Sequence, residues 1–206
     1  MSSQNGKSIG KDQEGPLIAR AQAGDRDAVR DLVDGHKDRL FAFIWRMTHN
    51  HHDTEEICQE AFMKAFAALD TFSIEYRFST WLFTIAYRIC LNRMRRRHVF
   101  ADFSGWERMQ SAEGDDSECV LESEEARQLR GTVWGAVEQL TPPQRATVVL
   151  FYRHDMGCQE IARVLELPVA TVKSHLHRAR KSLRDILETV GEKQIDEFRN
   201  HSRRAV

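Results

Sequence analysis

Three groups of residues have the types and spacing to do chemistry. The first runs from Phe72 to Arg97. Phe72, Tyr76, Phe78, Trp81, Phe83 and Tyr87 place six aromatics in 16 residues, and Arg88, Arg93, Arg95, Arg96 and Arg97 follow with no acid among them. Rings on which bases stack, beside cations that follow phosphates, are what binding of single-stranded nucleic acid requires. An extruded base also needs a receiving pocket, which the loop at 73–79 is placed to supply. Phe78 and Trp81 read as packing residues rather than stacking platforms. The second group lies in Val169–Arg184, where Lys173, Arg178, Arg180, Lys181 and Arg184 again stand without an acid. A helix here that buries Val172, Leu176, Ala179 and Leu183 turns Ala170, Lys173, Ser174, His177 and Lys181 outward. That face suits a major groove, with Lys and Ser reaching base edges and Arg178 the backbone. The third group is Asp53, Glu56 and Glu60, an acidic strip on one helix face suited to a basic partner. His52, Glu56 and Glu60 also have metal-ligand spacing. No second carboxylate–histidine helix faces them, so no metal is expected. No glycine-rich phosphate loop or nucleophile elbow occurs. The chain therefore reads as a cofactor-free binding protein, not an enzyme.

Helices must position these groups. Glycine and proline are scarce (11 and 4 of 206 residues) and charged residues make up 30%, which favours helices over a turn-dense sandwich. Residues 1–16 are polar and read as a disordered tail. From 17 to 97 the pattern is helical: Val33, Lys37, Leu40, Ile44 and Met47 form one stripe, Ile57, Ala61, Ala65 and Leu69 a second, and Leu82, Ile85, Ala86 and Ile89 a third. Asp53 and Thr54, with Glu55 and Glu56 behind them, signal a capped helix start. Residues 98–128 read as a flexible linker, and Glu107–Arg127 carries eight acids against two arginines. A second helical domain is expected over 129–190, restarted at Pro142-Pro143, and a polar tail over 191–206. Within it, Gln159–Arg180 reads as two short helices about a tight turn, with Ile161, Leu165, Leu167, Val172 and Leu176 buried and Ala162 small where the helices cross. Glu166 falls in that turn, where a left-handed backbone favours glycine by about 1 kcal/mol. The fold class is thus all-α, two small helical domains joined by an acidic linker, the second containing a helix-turn-helix.

Net charge is −1, which alone argues against a generic nucleic-acid binder. Two basic runs flanking an acidic one cancel globally while each acts locally, since screening confines a charge to about 10 Å at 0.1 M salt. The longest apolar run, Leu40–Trp45, is six residues, far short of the roughly 18 that span a bilayer. No signal peptide is visible. Cys58, Cys90, Cys119 and Cys158 form no CxxC pair and read as free thiols. A cytoplasmic protein with no membrane insertion is expected.

With these elements in place, the chain resembles the extracytoplasmic-function (ECF) sigma factors of bacterial RNA polymerase. The resemblance rests on Asp53-Thr-Glu-Glu-Ile-Cys-Gln-Glu-Ala-Phe62, Phe78-Ser-Thr-Trp-Leu-Phe-Thr-Ile-Ala86 leading to Arg95-Arg96-Arg97, Leu140-Thr-Pro-Pro-Gln-Arg145, and Ile161-Ala162 through Thr171-Val-Lys-Ser174 to Arg178-Ala-Arg180. It implies that 17–97 binds the core polymerase clamp through Asp53, Glu56, Gln59 and Glu60. It further implies −10 recognition and melting by Phe72, Tyr76, Arg77, Arg88, Asn92, Arg95 and Arg96, and −35 reading by Thr171, Lys173, Ser174, His177, Arg178 and Lys181. The partners it implies are bacterial core RNA polymerase, promoter DNA and an anti-sigma factor. Arg88 stands where many relatives carry Asn, and the loop before Phe78 lacks the glycine many relatives have. The alternative reading is a stand-alone helix-turn-helix transcriptional regulator, which would dimerise and bind duplex DNA unaided.

Overall fold

The computed structural model describes residues 11–73, 76–104 and 123–204. Among these residues the chain is all-α, with eight helices and one 3₁₀ turn: α1 (Lys11–Gln22), α2 (Arg26–Thr48), α3 (His51–Ala67), the turn Leu69–Thr71, α4 (Phe78–Ser104), α5 (Glu124–Glu138), α6 (Pro142–Tyr152), α7 (Cys158–Leu165) and α8 (Val169–Arg204). α1 starts inside the expected N-terminal tail. Its Glu14, 6% exposed, accepts the Phe78 N–H at 3.2 Å and so satisfies an orphan donor at the start of α4. Burial raises the Glu14 carboxyl above its usual range. α4 runs on to Ser104 and α5 begins at Glu124, capped by Ser123 Oγ at 3.3 Å from the Ala126 N–H. Both ends intrude on the segment read as linker. Its acidic centre, with Asp115, Asp116 and Glu118, lies outside the described residues. α8 continues through the expected C-terminal tail.

Local capping differs from expectation at α3. Asn50 Oδ1 accepts the Asp53 N–H at 2.9 Å, so the helix begins two residues before Asp53, which sits in the first turn. The α2 stripe is buried as expected at Leu40, Ile44 and Met47 but is displaced in its first two turns. Leu32, His36, Leu40, Phe43, Ile44 and Met47 are buried, whereas Lys37 is exposed and bonds Asp34 at 2.7 Å. A histidine counts as polar in a hydrophobic pattern, yet His36 is 2% exposed with its ring 5.3 Å from Phe78. The stripe of Ile57, Ala61, Ala65 and Leu69, along α3 and into the turn after it, is buried as expected.

α1 to α4 pack together, and α5 to α8 form a second group. The two groups share one continuous core, because α4 packs on α7 and α2 on α6. The α6–α7 loop makes the join. His154, 4% exposed, sits with its ring 6.1 Å from Phe43 and 5.1 Å from Phe83, and Arg39 Nη2 donates to its carbonyl at 2.9 Å. A second seam lies nearby: Arg145 reaches His49 Nε2 at 3.3 Å and the Glu138 carbonyl, and the Arg46 guanidinium lies 3.8 Å from the Trp134 ring centroid.

Candidate nucleic-acid and polymerase interfaces

The helix-turn-helix is built by α7, the turn 166–168 and α8. Gly157 N–H donates to Glu160 Oε2 at 2.9 Å at the start of α7. At its end Glu166 adopts φ 55° and ψ 43°, the left-handed conformation anticipated for that position. The turn closes with Leu167 N–H on the Ala162 carbonyl at 2.9 Å, and Val172 N–H on the Pro168 carbonyl at 3.1 Å restarts the chain as α8. Ile161, Ala162, Leu165, Val172, Leu176 and Ala179 are buried, joined by Val164, which the sequence pattern does not single out. Ala170, Lys173, His177, Arg178 and Lys181 are exposed, and Thr171 and Ser174 partly so. Arg180, equally basic, turns back instead: its Nε donates to Tyr152 Oη at 2.8 Å. The outward set is a cationic face with short polar side chains at its N-terminal end, the arrangement that reads base edges from a major groove. His175, beside it, is pushed down from the usual histidine range, first by burial and then by Arg178.

The acidic strip on α3 is held by a residue of α4. Arg93 is bonded to Glu56 and lies 3.6 Å from Glu60 and 4.0 Å from Asp53, while Lys64 pairs with Glu60 at 2.7 Å. The Arg93 bond lowers the Glu56 carboxyl, and the Lys64 bond, with Arg93 behind it, lowers Glu60. Gln59 is exposed, Glu56 and Glu60 are half-exposed, and Asp53 is 7% exposed. Asp53 is therefore less accessible than its place in an acidic strip suggested. Arg93, read only as part of an arginine run, is the hub that fixes the strip's geometry. Its position 37 residues from Glu56 left no local signal.

The aromatic–arginine element divides. Phe72 is a core residue, 7% exposed, with ring centroids 5.1 Å from Trp81 and 5.9 Å from Phe78. It does not share the surface with Tyr76, because a ring flanked by two aromatic neighbours gains more by burial than by exposure. Phe78, Trp81, Phe83 and Tyr87 are likewise packed into or against the core. Tyr76 is exposed, as are Arg77, Arg88, Asn92, Arg95 and Arg96. Tyr76, Arg77 and Arg88 meet α7 and its turn: the Arg163 guanidinium lies 4.5 Å from the Tyr76 ring centroid, Arg77 Nε 3.7 Å from Glu160 Oε1, and Arg88 is bonded to Glu166. Residues 74 and 75 of the loop expected to form a base pocket lie outside the described set. Elsewhere His52 Nε2 lies 3.3 Å from Glu56 Oε1. No group of His, Cys, Asp and Glu with metal-binding geometry occurs among the described residues, and none of their helices is long and apolar enough to cross a membrane.

A helix-turn-helix with an open cationic face, an aromatic–arginine element and an acidic strip, carried on one all-α chain, are the features of the sigma-70 class. The Sigma-70 region 2 model matches residues 32–99 and the Sigma-70 region 4 model residues 130–183. The chain is 34% identical over 173 residues to the ECF RNA polymerase sigma factor SigW of Bacillus subtilis, covering 81% of this chain and 92% of that one. It is 31% identical over 185 residues to the RNA polymerase sigma-H factor of Pseudomonas aeruginosa (86% and 95%). It is also 31% identical over 176 residues to the ECF RNA polymerase sigma-E factor of Escherichia coli (81% and 90%). The chain belongs to the ECF RNA polymerase sigma factors. Among solved structures, CnrH in complex with the cytosolic domain of CnrY aligns with a TM-score of 0.62 at 27% identity, covering 85% of this chain and 97% of that one. The sigma factor RpoE bound to the anti-sigma factor NepR from Bartonella quintana also gives a TM-score of 0.62, at 23% identity, covering 87% and 98%, and shares the fold.

Proposed function

We propose that this chain is an alternative sigma factor whose two modules divide promoter recognition between them. It binds core RNA polymerase and directs promoter-specific initiation; nucleotide chemistry belongs to the polymerase. In this reading the module over 17–97 docks on the polymerase through Gln59, Glu56 and Glu60, with Asp53 and Arg93 holding the strip in place. Tyr76, Arg77, Arg88, Asn92, Arg95 and Arg96 contact the melted −10 strand, and Phe72 supports that surface from the core. The module over 129–190 reads −35 duplex through Thr171, Lys173, Ser174, His177, Arg178 and Lys181. An anti-sigma partner fits the solved relatives, of which one is bound to an anti-sigma factor and another to a cytosolic partner domain.

The observation that carries this reading is the joint presence, in order, of a region 2 module and a helix-turn-helix module whose α8 face is cationic and open. A stand-alone regulator has no use for the first. A near-neutral net charge adds support, because weak nonspecific affinity leaves DNA binding dependent on the polymerase. The test is a mobility shift on promoter duplex with and without core polymerase. A specific complex only when core is present supports the assignment, and an equally specific complex without core points to the stand-alone regulator.

A further inference from the structure

Two hydrogen bonds tie α1 to either end of the segment that runs from the 3₁₀ turn into α4. Glu14 Oε2 accepts the Phe78 N–H at 3.2 Å, and Gln22 Nε2 donates to the Leu69 carbonyl at 3.0 Å. Tyr76 and Arg77, assigned above to the −10 strand, lie between those anchors. Glu14, Ile18 and Gln22 are spaced i, i+4, i+8 and so share one line of the helix. Ile18, 2% exposed, buries the middle of that line in the core. The anchors lie about 12 Å apart along α1, at 1.5 Å per residue, whereas the chain from 69 to 78 can reach roughly 30 Å when extended. α1 is itself pinned at its end: Gly24 turns the chain at φ 86°, and Asp25 caps α2 while pairing with Arg20 at 2.6 Å. The Glu14 carboxyl lies 3.6 Å from His36 Nε2; burial raises its pKa, and the Phe78 N–H, Arg77 and Arg39 oppose that rise. α1 stands ahead of the region 2 match, which begins at residue 32.

We infer that Glu14 and Gln22 are positioning residues for −10 recognition, which hold the two ends of the segment carrying Tyr76 and Arg77 and so set how those side chains meet the melted strand. Side chains ordered before the strand arrives lose less freedom on binding it, so the two anchors favour melting. Neither anchor touches DNA. This rests on the −10 assignment of Tyr76 and Arg77.

The test uses the full chain, alone and with core polymerase. Gln22 is exposed, so Gln22→Ala removes one anchor with little effect on the fold. In the free protein, hydrogen exchange read by mass spectrometry should speed up about two- to tenfold over 69–78, the range set by losing one hydrogen bond, and stay at the wild-type rate over 82–90. With core polymerase, the probe is a promoter duplex selected by run-off transcription with the wild-type chain and carrying 2-aminopurine in its −10 element. At saturating holoenzyme, Gln22→Ala and Glu14→Ala should each slow the fluorescence rise that reports melting by about two- to tenfold. Core affinity and −35 preference should stay at wild-type values. Glu14→Gln keeps an oxygen that accepts the Phe78 N–H, so it should melt the promoter within about twofold of the wild-type rate. Should Glu14→Ala fail to fold, Gln22→Ala and Glu14→Gln decide the matter. The inference is overturned if Gln22→Ala matches wild type in either exchange or melting, or if Glu14→Gln is slowed as much as Gln22→Ala. Run-off by the wild-type chain separates the two claims. If it occurs while Gln22→Ala melts the promoter like wild type, the sigma assignment stands and the positioning role falls. If it is absent, the −10 assignment falls, and faster exchange in Gln22→Ala then marks α1 as a structural anchor only.

Discussion

The imidazole of His154 is the most exacting test of how the two modules are joined. Both ring nitrogens are buried with no hydrogen-bond partner, between Phe43 and Phe83. Burial, with Arg39 and Arg153 adding to it, pushes its pKa down from 6.5 to about 3. The folded state therefore holds the neutral ring, while the unfolded chain takes up a proton near pH 6.5. The stability tied to this group is complete above pH 6.5 and is lost as pH falls toward 3. Linkage gives up to about 1.4 kcal/mol per pH unit, so acidification from pH 7 to pH 5 should cost about 2 kcal/mol through His154 alone. His36, lowered to about 4 by burial, adds a loss of similar size. The perturbation is His154→Leu, which removes two unsatisfied buried polar atoms at nearly constant volume and so is close to neutral at pH 7. Urea unfolding at both pH values is the assay. Wild type should lose about 2 kcal/mol more than His154→Leu on acidification. An identical loss in the two proteins refutes the reasoning, since it means the ring is solvated or bonded in the folded state.

Further outcomes follow from the same geometry. Lys173→Ala and His177→Ala should each relax base preference at particular −35 positions, costing about 1–3 kcal/mol in a promoter-variant binding series; a uniform loss across sequences marks the residue as a phosphate contact instead. Arg178→Ala should weaken all sequences alike and flatten the salt dependence of binding. Glu56→Gln with Glu60→Gln should weaken a fluorescence titration against core polymerase, and unchanged affinity removes α3 from the docking face. Glu14→Ala strips the acceptor from the Phe78 N–H and should lower folding stability by about 1–3 kcal/mol, with an unchanged denaturant midpoint showing that α1 does not brace α4.

Much of the architecture could be read from pattern because the relevant interactions are local. The i, i+4 stripe of α3 and the paired helices about Glu166 depend on neighbours within one or two turns, and both are present. What pattern could not reach depended on distance along the chain. Arg93 looked like one more cation in a basic run, yet its partners Asp53, Glu56 and Glu60 lie on another helix. Phe72 looked like a stacking platform, and only the tertiary position of Trp81 and Phe78 makes it core. The α2 stripe held at Leu40, Ile44 and Met47 but missed its first two turns, where Leu32 and His36 are buried in place of Val33 and Lys37, because His36, polar by type, is apolar by use. The pairing of Arg77 with Glu160 and of Arg88 with Glu166 joins separate helical groups, and no periodicity reports such a contact.

The most direct measurement of the central claim is run-off transcription with purified core RNA polymerase, the added chain and a library of promoter templates. The account predicts no specific transcript from core alone and a discrete promoter set when the chain is present. That set should share two elements, with the −35 preference shifting in Lys173→Ala and His177→Ala. Specific duplex binding by a dimer of the chain, with no dependence of initiation on adding it to core, contradicts the account.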